Sequence, residues 1–142
     1  KPDEVEASPY LSVDPAPPMP KRQYKTTADL RSVLINKTFP LFARYKAMFA
    51  LRNRGDDEAV KALADGFDDP SAVFRHEIAY VMGQIQNPAA IAALKQVLKN
   101  VQEHAMVRHE AAEALGSIAD NDTDDVCEPL LNDHLRDKDI IV

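Results

Sequence analysis

The chain has no tryptophan, few other aromatic residues and one cysteine. Aromatic residues make up 6% of its 142 residues, too few for the stacking platforms that bind single-stranded nucleic acid. Cys127 has no partner for an internal disulfide, which is typical of a reducing compartment. No apolar run approaches the roughly 18 residues of a membrane span, and the first residues have no signal-peptide pattern. With a net charge of −6, these absences predict a cytoplasmic protein that binds neither membrane nor nucleic acid.

Proline is concentrated at the start of the chain. Six of the ten prolines lie in the first twenty residues, KPDEVEASPYLSVDPAPPMP. Because proline fixes φ and removes an amide donor, this stretch cannot join a helix or a central strand. We therefore expect a proline-rich acidic linker over residues 1–26 and one repeat domain over residues 27–142.

From Thr27 onward, apolar residues recur at spacings of three and four, which is typical of amphipathic helices. The first of them are predicted to share one helical face: Leu30, Leu34, Phe39, Leu41, Phe42, Tyr45, Met48, Phe49 and Leu51. Asp69 and Asn87 each precede a proline, so each is predicted to cap a helix whose first residue is that proline. No alternating strand pattern exceeds four residues, and the sequence predicts an all-α fold.

Three of the predicted helices repeat one another. FARYKAMFALRN, VFRHEIAYVMGQ and MVRHEAAEALGS begin at residues 42, 73 and 106 and share a basic residue, at Arg44, Arg75 and Arg108. Between and after them lie the shorter amphipathic segments DDEAVKALADGF, NPAAIAALKQVLKN and DDVCEPLLND. Helical pairs with a period in the thirties indicate an α-solenoid of helical hairpins. We expect three repeats plus a truncated fourth at DHLRDKDIIV, in a fragment or one half of a longer protein.

Two His-Glu pairs occupy the same place in consecutive repeats. His76-Glu77 and His109-Glu110 each lie within the string RHE, whereas the first repeat has Tyr45-Lys46 there. Imidazole and carboxylate are ligands that suit non-haem iron. From spacing alone, the pairs are either metal ligands or a structural ladder of hydrogen bonds. As ligands, the four side chains are too few to enclose two metal ions, so a second set is needed from elsewhere.

Two glycines and a methionine accompany these pairs. Gly83 and Gly116 coincide in the two repeats, where a glycine allows close approach to a neighbouring helix or to a ligand. Met106 precedes the second RHE string and is either core filling or an apolar wall beside the metal.

With these residues the sequence resembles the deoxyhypusine hydroxylase family. The resemblance extends from SPYLSVDPAPP through RYKAMFALRN, VFRHEIAYVMGQIQ and MVRHEAAEALGSIA. It implies HEAT-like repeats in two halves, with a di-iron centre between them. It also implies an O₂-dependent monooxygenase that hydroxylates the deoxyhypusine side chain of translation initiation factor 5A. The chain resembles the C-terminal half with its linker, so its site would be completed by the N-terminal half or by a second copy.

The resemblance also implies roles for individual residues. His76, His109 and Glu110 would bind Fe²⁺, and Glu77 would be either a ligand or the carboxylate that holds the substrate amine. Glu77 and Glu110 would be the catalytic carboxylates, with Met106, Gly83 and Gly116 around the ligands. The isolated half is expected to be inactive or incomplete. The alternative from another class is a metal-free HEAT-repeat scaffold that binds a protein partner.

Overall fold

A computed structural model describes the backbone of residues 26–122 and the side chains of residues 26–119. Apart from Thr26, the predicted linker lies outside the described residues. The shorter amphipathic segment DDVCEPLLND, which contains Cys127, and the predicted fourth repeat lie outside them as well. The count of three repeats plus a truncated fourth therefore stays a prediction.

The described residues form α-helices and short 3₁₀ helices, with no strand among them. The α-helices are α1 (Thr27–Ile35), α2 (Leu41–Arg54), α3 (Asp57–Ala64), α4 (Ala72–Ile85), α5 (Ile91–Lys99) and α6 (Ala105–Asp122). The 3₁₀ helices are Asp65–Asp68 and Pro88–Ala90. The predicted all-α fold is confirmed. No helix in the described range is long and apolar enough to cross a membrane.

The helices pack in two layers. The three RYK- and RHE-containing helices lie side by side as a first layer, in which α2 contacts α4 and α4 contacts α6. Helices α1 and α3 pack against each other in a second layer, and α3 meets α5 through the 3₁₀ helix Pro88–Ala90. Each successive helix pair thus contacts its neighbours along the chain, which is the predicted α-solenoid.

One continuous apolar core lies between the layers. Its largest fully buried side chains come from helices of both layers: Leu30, Leu34, Met48, Leu51, Leu63, Phe74, Ile78, Met82, Leu94 and Leu115. Burying a side chain of this size contributes about 1.5–3 kcal/mol, so this core fixes how the first-layer helices lie against one another.

The predicted apolar face is interrupted where α2 begins. Phe39, Leu41 and Phe42 are 39%, 55% and 60% exposed, so the expectation that they share the buried face is wrong for these three. The chain turns between α1 and α2, and Pro40 is the N-cap of α2. Because this turn separates two helices, residues on either side of it do not share one helical face, even when they are three or four positions apart.

The two predicted Asx-Pro caps have different outcomes. Asn87 accepts a hydrogen bond from the Ala89 N–H at 2.9 Å and caps the 3₁₀ helix that Pro88 begins. Asp69 does not cap α4, because the side chain of Ser71 accepts from the Phe74 N–H instead. The Asp69 carboxylate accepts a hydrogen bond from Arg44 of the preceding repeat.

That arginine belongs to a ladder along the first layer. Arg44 on α2 donates to the Leu34 carbonyl at 2.9 Å and to Asp69 Oδ1 at 2.5 Å. Arg75 on α4 donates to the backbone carbonyl of the same Asp69 at 2.7 Å. Although burial opposes ionisation of Asp69, hydrogen bonds from Arg44 and the Ser71 N–H hold its pKa below the usual value.

A similar contact follows one repeat later. Arg75 forms a bidentate ion pair with Glu103, with N–O distances of 2.8 and 2.7 Å. Arg108 on α6 donates to the Glu103 backbone carbonyl at 3.1 Å. Arg44 and Arg75 therefore tie their helices to the segment that precedes the next first-layer helix, whereas Arg108 binds the segment that precedes its own helix. The ladder holds α4 and α6 in register, and these are the helices that carry the His-Glu pairs.

Candidate functional site

The candidate site lies where α4 packs on α6. His76 and Glu77 are in the second turn of α4, and His109 and Glu110 are in the second turn of α6. Ser71 begins α4 with a side-chain cap, and His104 Nδ1 accepts from the Met106 N–H at 3.0 Å before α6. These starts place the two RHE strings at matching heights on adjacent helices.

Three of the four predicted ligands come together. His76 Nε2 lies 3.0 Å from Glu110 Oε1, a hydrogen bond that joins α4 to α6. On the other side of the ring, His76 Nδ1 lies 3.9 Å from Glu77 Oε1. The side chains of His76, Glu77 and Glu110 are 28%, 29% and 14% exposed, so each is accessible to an ion.

Glu110 is the most buried of these carboxylates. Burial raises its pKa, and His76 opposes that rise by its charge and its hydrogen bond. The nearby carboxylate of Glu113 raises the pKa further. A carboxylate that has lost water and faces a second carboxylate is stabilised by a bound cation.

His109 is directed along its own helix. Its Nε2 lies 3.1 Å from Oε2 of Glu113, four residues later, and the His109 side chain is 36% exposed. Burial raises the pKa of Glu110, and the charge of His109 acts against that rise. In the structure as it stands, His109 contacts Glu113 rather than completing the group.

The side chains at this site are of chemical types that bind iron. Imidazole nitrogen and carboxylate oxygen, on two helices held in register, are a ligand set that non-haem iron uses. Within residues 26–119, no group of three or more His, Cys, Asp or Glu side chains is arranged to hold one ion. The role of His76, Glu77, His109 and Glu110 as iron ligands therefore stays a prediction.

Gly83 has a packing role. A Cβ added there would lie 3.1 Å from the Ala114 Cβ and 3.3 Å from the Ala114 Cα. Contacts this short would push α6 away, so the glycine permits the close approach that brings His76 to Glu110. Met106 and Gly116 are half-buried on α6, and their predicted place around the ligands stays a prediction.

Three residues near the site were not among the site residues predicted from the sequence. Tyr45 packs on Phe74 with ring centroids 5.4 Å apart, and burial, with Glu77 as the next cause, raises its pKa. Glu113 contacts His109, which its spacing of four residues on one helix would have indicated. Tyr80 lies one turn after His76 and is 45% exposed.

A profile described as HEAT repeats matches residues 27–105 and 68–140 of the chain. The chain belongs to the HEAT-repeat family, as its two helical layers indicate.

The relatives are more specific. The chain is 56% identical over 140 residues to a deoxyhypusine hydroxylase of Eremothecium gossypii, covering 99% of this chain and 42% of that protein. It is 51% identical over 141 residues to the deoxyhypusine hydroxylase of Xenopus laevis, covering 99% and 44%. The solved structure of human deoxyhypusine hydroxylase in complex with glycerol matches with a TM-score of 0.70 and 44% identity, over 95% of this chain and 51% of that one. The resemblance inferred from the RHE strings is confirmed. The chain spans less than half the length of these two curated relatives.

Proposed function

We propose that this chain supplies half of the iron site of a deoxyhypusine hydroxylase, which hydroxylates the deoxyhypusine side chain of translation initiation factor 5A with O₂. The observation that carries the proposal is the contact of His76 with Glu110 between two helices, at 3.0 Å. The names of the relatives support the reaction and the substrate.

Each side chain has a role in this proposal. His76, His109 and Glu110 bind iron, and the desolvated Glu110 gains most from a bound cation. Iron supplies the oxygen chemistry that hydroxylation of a carbon–hydrogen bond requires. Glu77 is more exposed than Glu110 and binds either iron or the substrate ammonium. The protein holds the ligands and orients the substrate.

The rest of the coordination shell comes from outside this chain. Two His-Glu pairs are too few for two irons, and the chain spans less than half the length of the hydroxylases quoted above. The other donors belong to the remainder of the enzyme or to a second copy that packs about a two-fold axis. In that arrangement the isolated chain binds iron weakly and is inactive or nearly so.

The test is an anaerobic titration of the purified chain with ferrous iron, with and without the remainder of the enzyme. Iron content and hydroxylation of a deoxyhypusine-containing substrate protein are then measured. His109→Ala and Glu110→Gln are expected to lose iron and activity. The matched control is His104→Asn, because His104 is exposed, lies on the same helix end, and asparagine preserves its capping role.

Retention of iron and turnover by both site variants would refute the ligand assignment. Correct folding with no iron in any combination would favour the metal-free scaffold instead. Sedimentation of the chain with and without ferrous iron distinguishes a second copy from the remainder of the enzyme as the source of the missing ligands.

A further inference from the structure

A groove of about 380 Å³ runs between α4 and α6 and begins at Glu110. From Glu110 it continues past Ser117, seven residues later, which corresponds to about 10 Å of helix. Its lining includes the side chains of Tyr80, Gln84, Glu113 and Ser117. The groove therefore starts at the candidate iron site and leads away from it along the first layer.

Close packing of the helices makes the floor of this groove. Gly83 and Ala114 both line it, and a Cβ on Gly83 would lie 3.1 Å from the Ala114 Cβ. The floor consequently has no protruding side chain. Gln86, at the end of α4, closes the far end through hydrogen bonds to Ser117 and to the Gly83 carbonyl.

The walls combine negative charge with an aromatic surface. Glu110 and Glu113 are carboxylates, and none of the described lining residues is basic. Tyr80 presents a 45% exposed ring, and its hydroxyl accepts a hydrogen bond from Gln84 Nε2 at 3.3 Å. Beside the lining, Arg52 donates to Gln84 Oε1 at 3.2 Å and His109 contacts Glu113. An acidic groove with an aromatic wall and no basic lining residue suits an aliphatic chain that carries ammonium groups.

We propose that this groove receives the aliphatic amine chain of the substrate, with Tyr80 against its methylenes and Glu113 paired with an ammonium group. The inference rests on the proposed function, since it takes the amine to be that of deoxyhypusine. The Glu113 side chain is 61% exposed, so it can contact a ligand while it also faces His109. This assigns substrate binding to Tyr80 and Glu113, whichever of its two proposed roles Glu77 has.

Binding to the metal-free chain tests the groove directly. The probe is a short peptide that carries deoxyhypusine, titrated by NMR, and the comparison probe is the same peptide with unmodified lysine. We expect tighter binding of the deoxyhypusine peptide, and about a fivefold loss of affinity in both Tyr80→Ala and Glu113→Gln. The control is Glu58→Gln, which removes an exposed carboxylate of α3 in the second layer and should leave the affinity unchanged.

The outcomes separate this inference from the iron proposal, because iron uptake is measured separately, by titrating the same variants with ferrous iron in the presence of the remainder of the enzyme. Equal affinity of the wild-type chain and both groove variants would overturn the groove, even in a chain that binds iron. Failure of the wild-type chain to prefer the deoxyhypusine peptide would overturn it as well. Loss of affinity in the two variants, together with no iron uptake even when the remainder of the enzyme is present, would uphold the groove and refute the iron site.

Discussion

Replacement of Asp69 by alanine tests the ladder that positions the site. The Arg44 and Asp69 side chains are 8% and 5% exposed, and their ion pair measures 2.5 Å. Without Asp69, the Arg44 guanidinium stays buried 4.4 Å from the Phe74 ring centroid, with the Leu34 carbonyl still accepting from it. Breaking a buried pair in this way costs about 3–5 kcal/mol, a large part of the 5–15 kcal/mol that stabilises a typical domain.

Urea unfolding followed by far-UV circular dichroism measures this loss. Asp68→Ala is the matched control, because Asp68 is the adjacent acidic residue and is exposed. The control should change the free energy of unfolding by no more than about 0.5 kcal/mol. Equal midpoints for the two variants, at equal urea dependence, would refute the reasoning that Asp69 holds a buried arginine.

The same pair has a pH signature. Hydrogen bonds lower the pKa of Asp69 in the folded chain, against an unfolded value of about 3.9. The contribution of the pair to stability is therefore fully present above about pH 4 and is lost as the pH falls through the folded pKa. Asp69→Asn should be less stable at neutral pH and should lose less stability between neutral pH and pH 3 than the wild-type chain. An unchanged acid transition in Asp69→Asn would contradict this assignment.

Three further substitutions address the site. His76→Ala should abolish iron binding by the complete enzyme and keep its helicity, whereas His104→Asn should keep both; loss of helicity in His76→Ala would favour a structural ladder. Glu77→Gln keeps the size and removes the charge, so it should weaken substrate affinity or iron occupancy more than it changes the thermal midpoint; unchanged affinity and occupancy would remove Glu77 from the site. Gly83→Ala should lower stability, although alanine favours a helix by about 1 kcal/mol, because its Cβ would meet Ala114 at 3.1 Å. An increased midpoint would show that α6 can move away freely.

Much of the fold follows from local patterns in the sequence. The offsets between the RYK and RHE strings predict that their helices lie side by side, and the two-layer structure confirms it. The sequence did not predict which residue caps α4. Asp69 has the right type and position for a cap, but its partner Arg44 is 25 residues away in sequence. Asp69 accepts a local hydrogen bond from the Ser71 N–H with one carboxylate oxygen and pairs with Arg44 through the other, and α4 begins only after Ser71. No sequence periodicity indicates the long-range pair.

Part of the candidate site could likewise be predicted from the sequence, and part could not. The repeat position of the RHE strings predicts that His76 and Glu110 lie on neighbouring helices. Their direct contact depends on how closely α4 and α6 approach, and this distance is set by Gly83 against Ala114. The groove beside Tyr80 depends on the same approach, so it becomes visible only once the helices are placed.

The first repeat shows which of the shared positions the stacking of repeats requires and which it does not. Helix α2 has the ladder residue Arg44, as α4 and α6 have theirs, so the arginine position serves the stacking of repeats. At the next two positions α2 has Tyr45 and Lys46 in place of His-Glu, and the tyrosine ring packs on Phe74. A first-layer helix thus folds and packs without the His-Glu pair. Stacking therefore does not require the two partly exposed His-Glu pairs on α4 and α6, and this is the reason to propose a cation and an amine-bearing substrate as their partners.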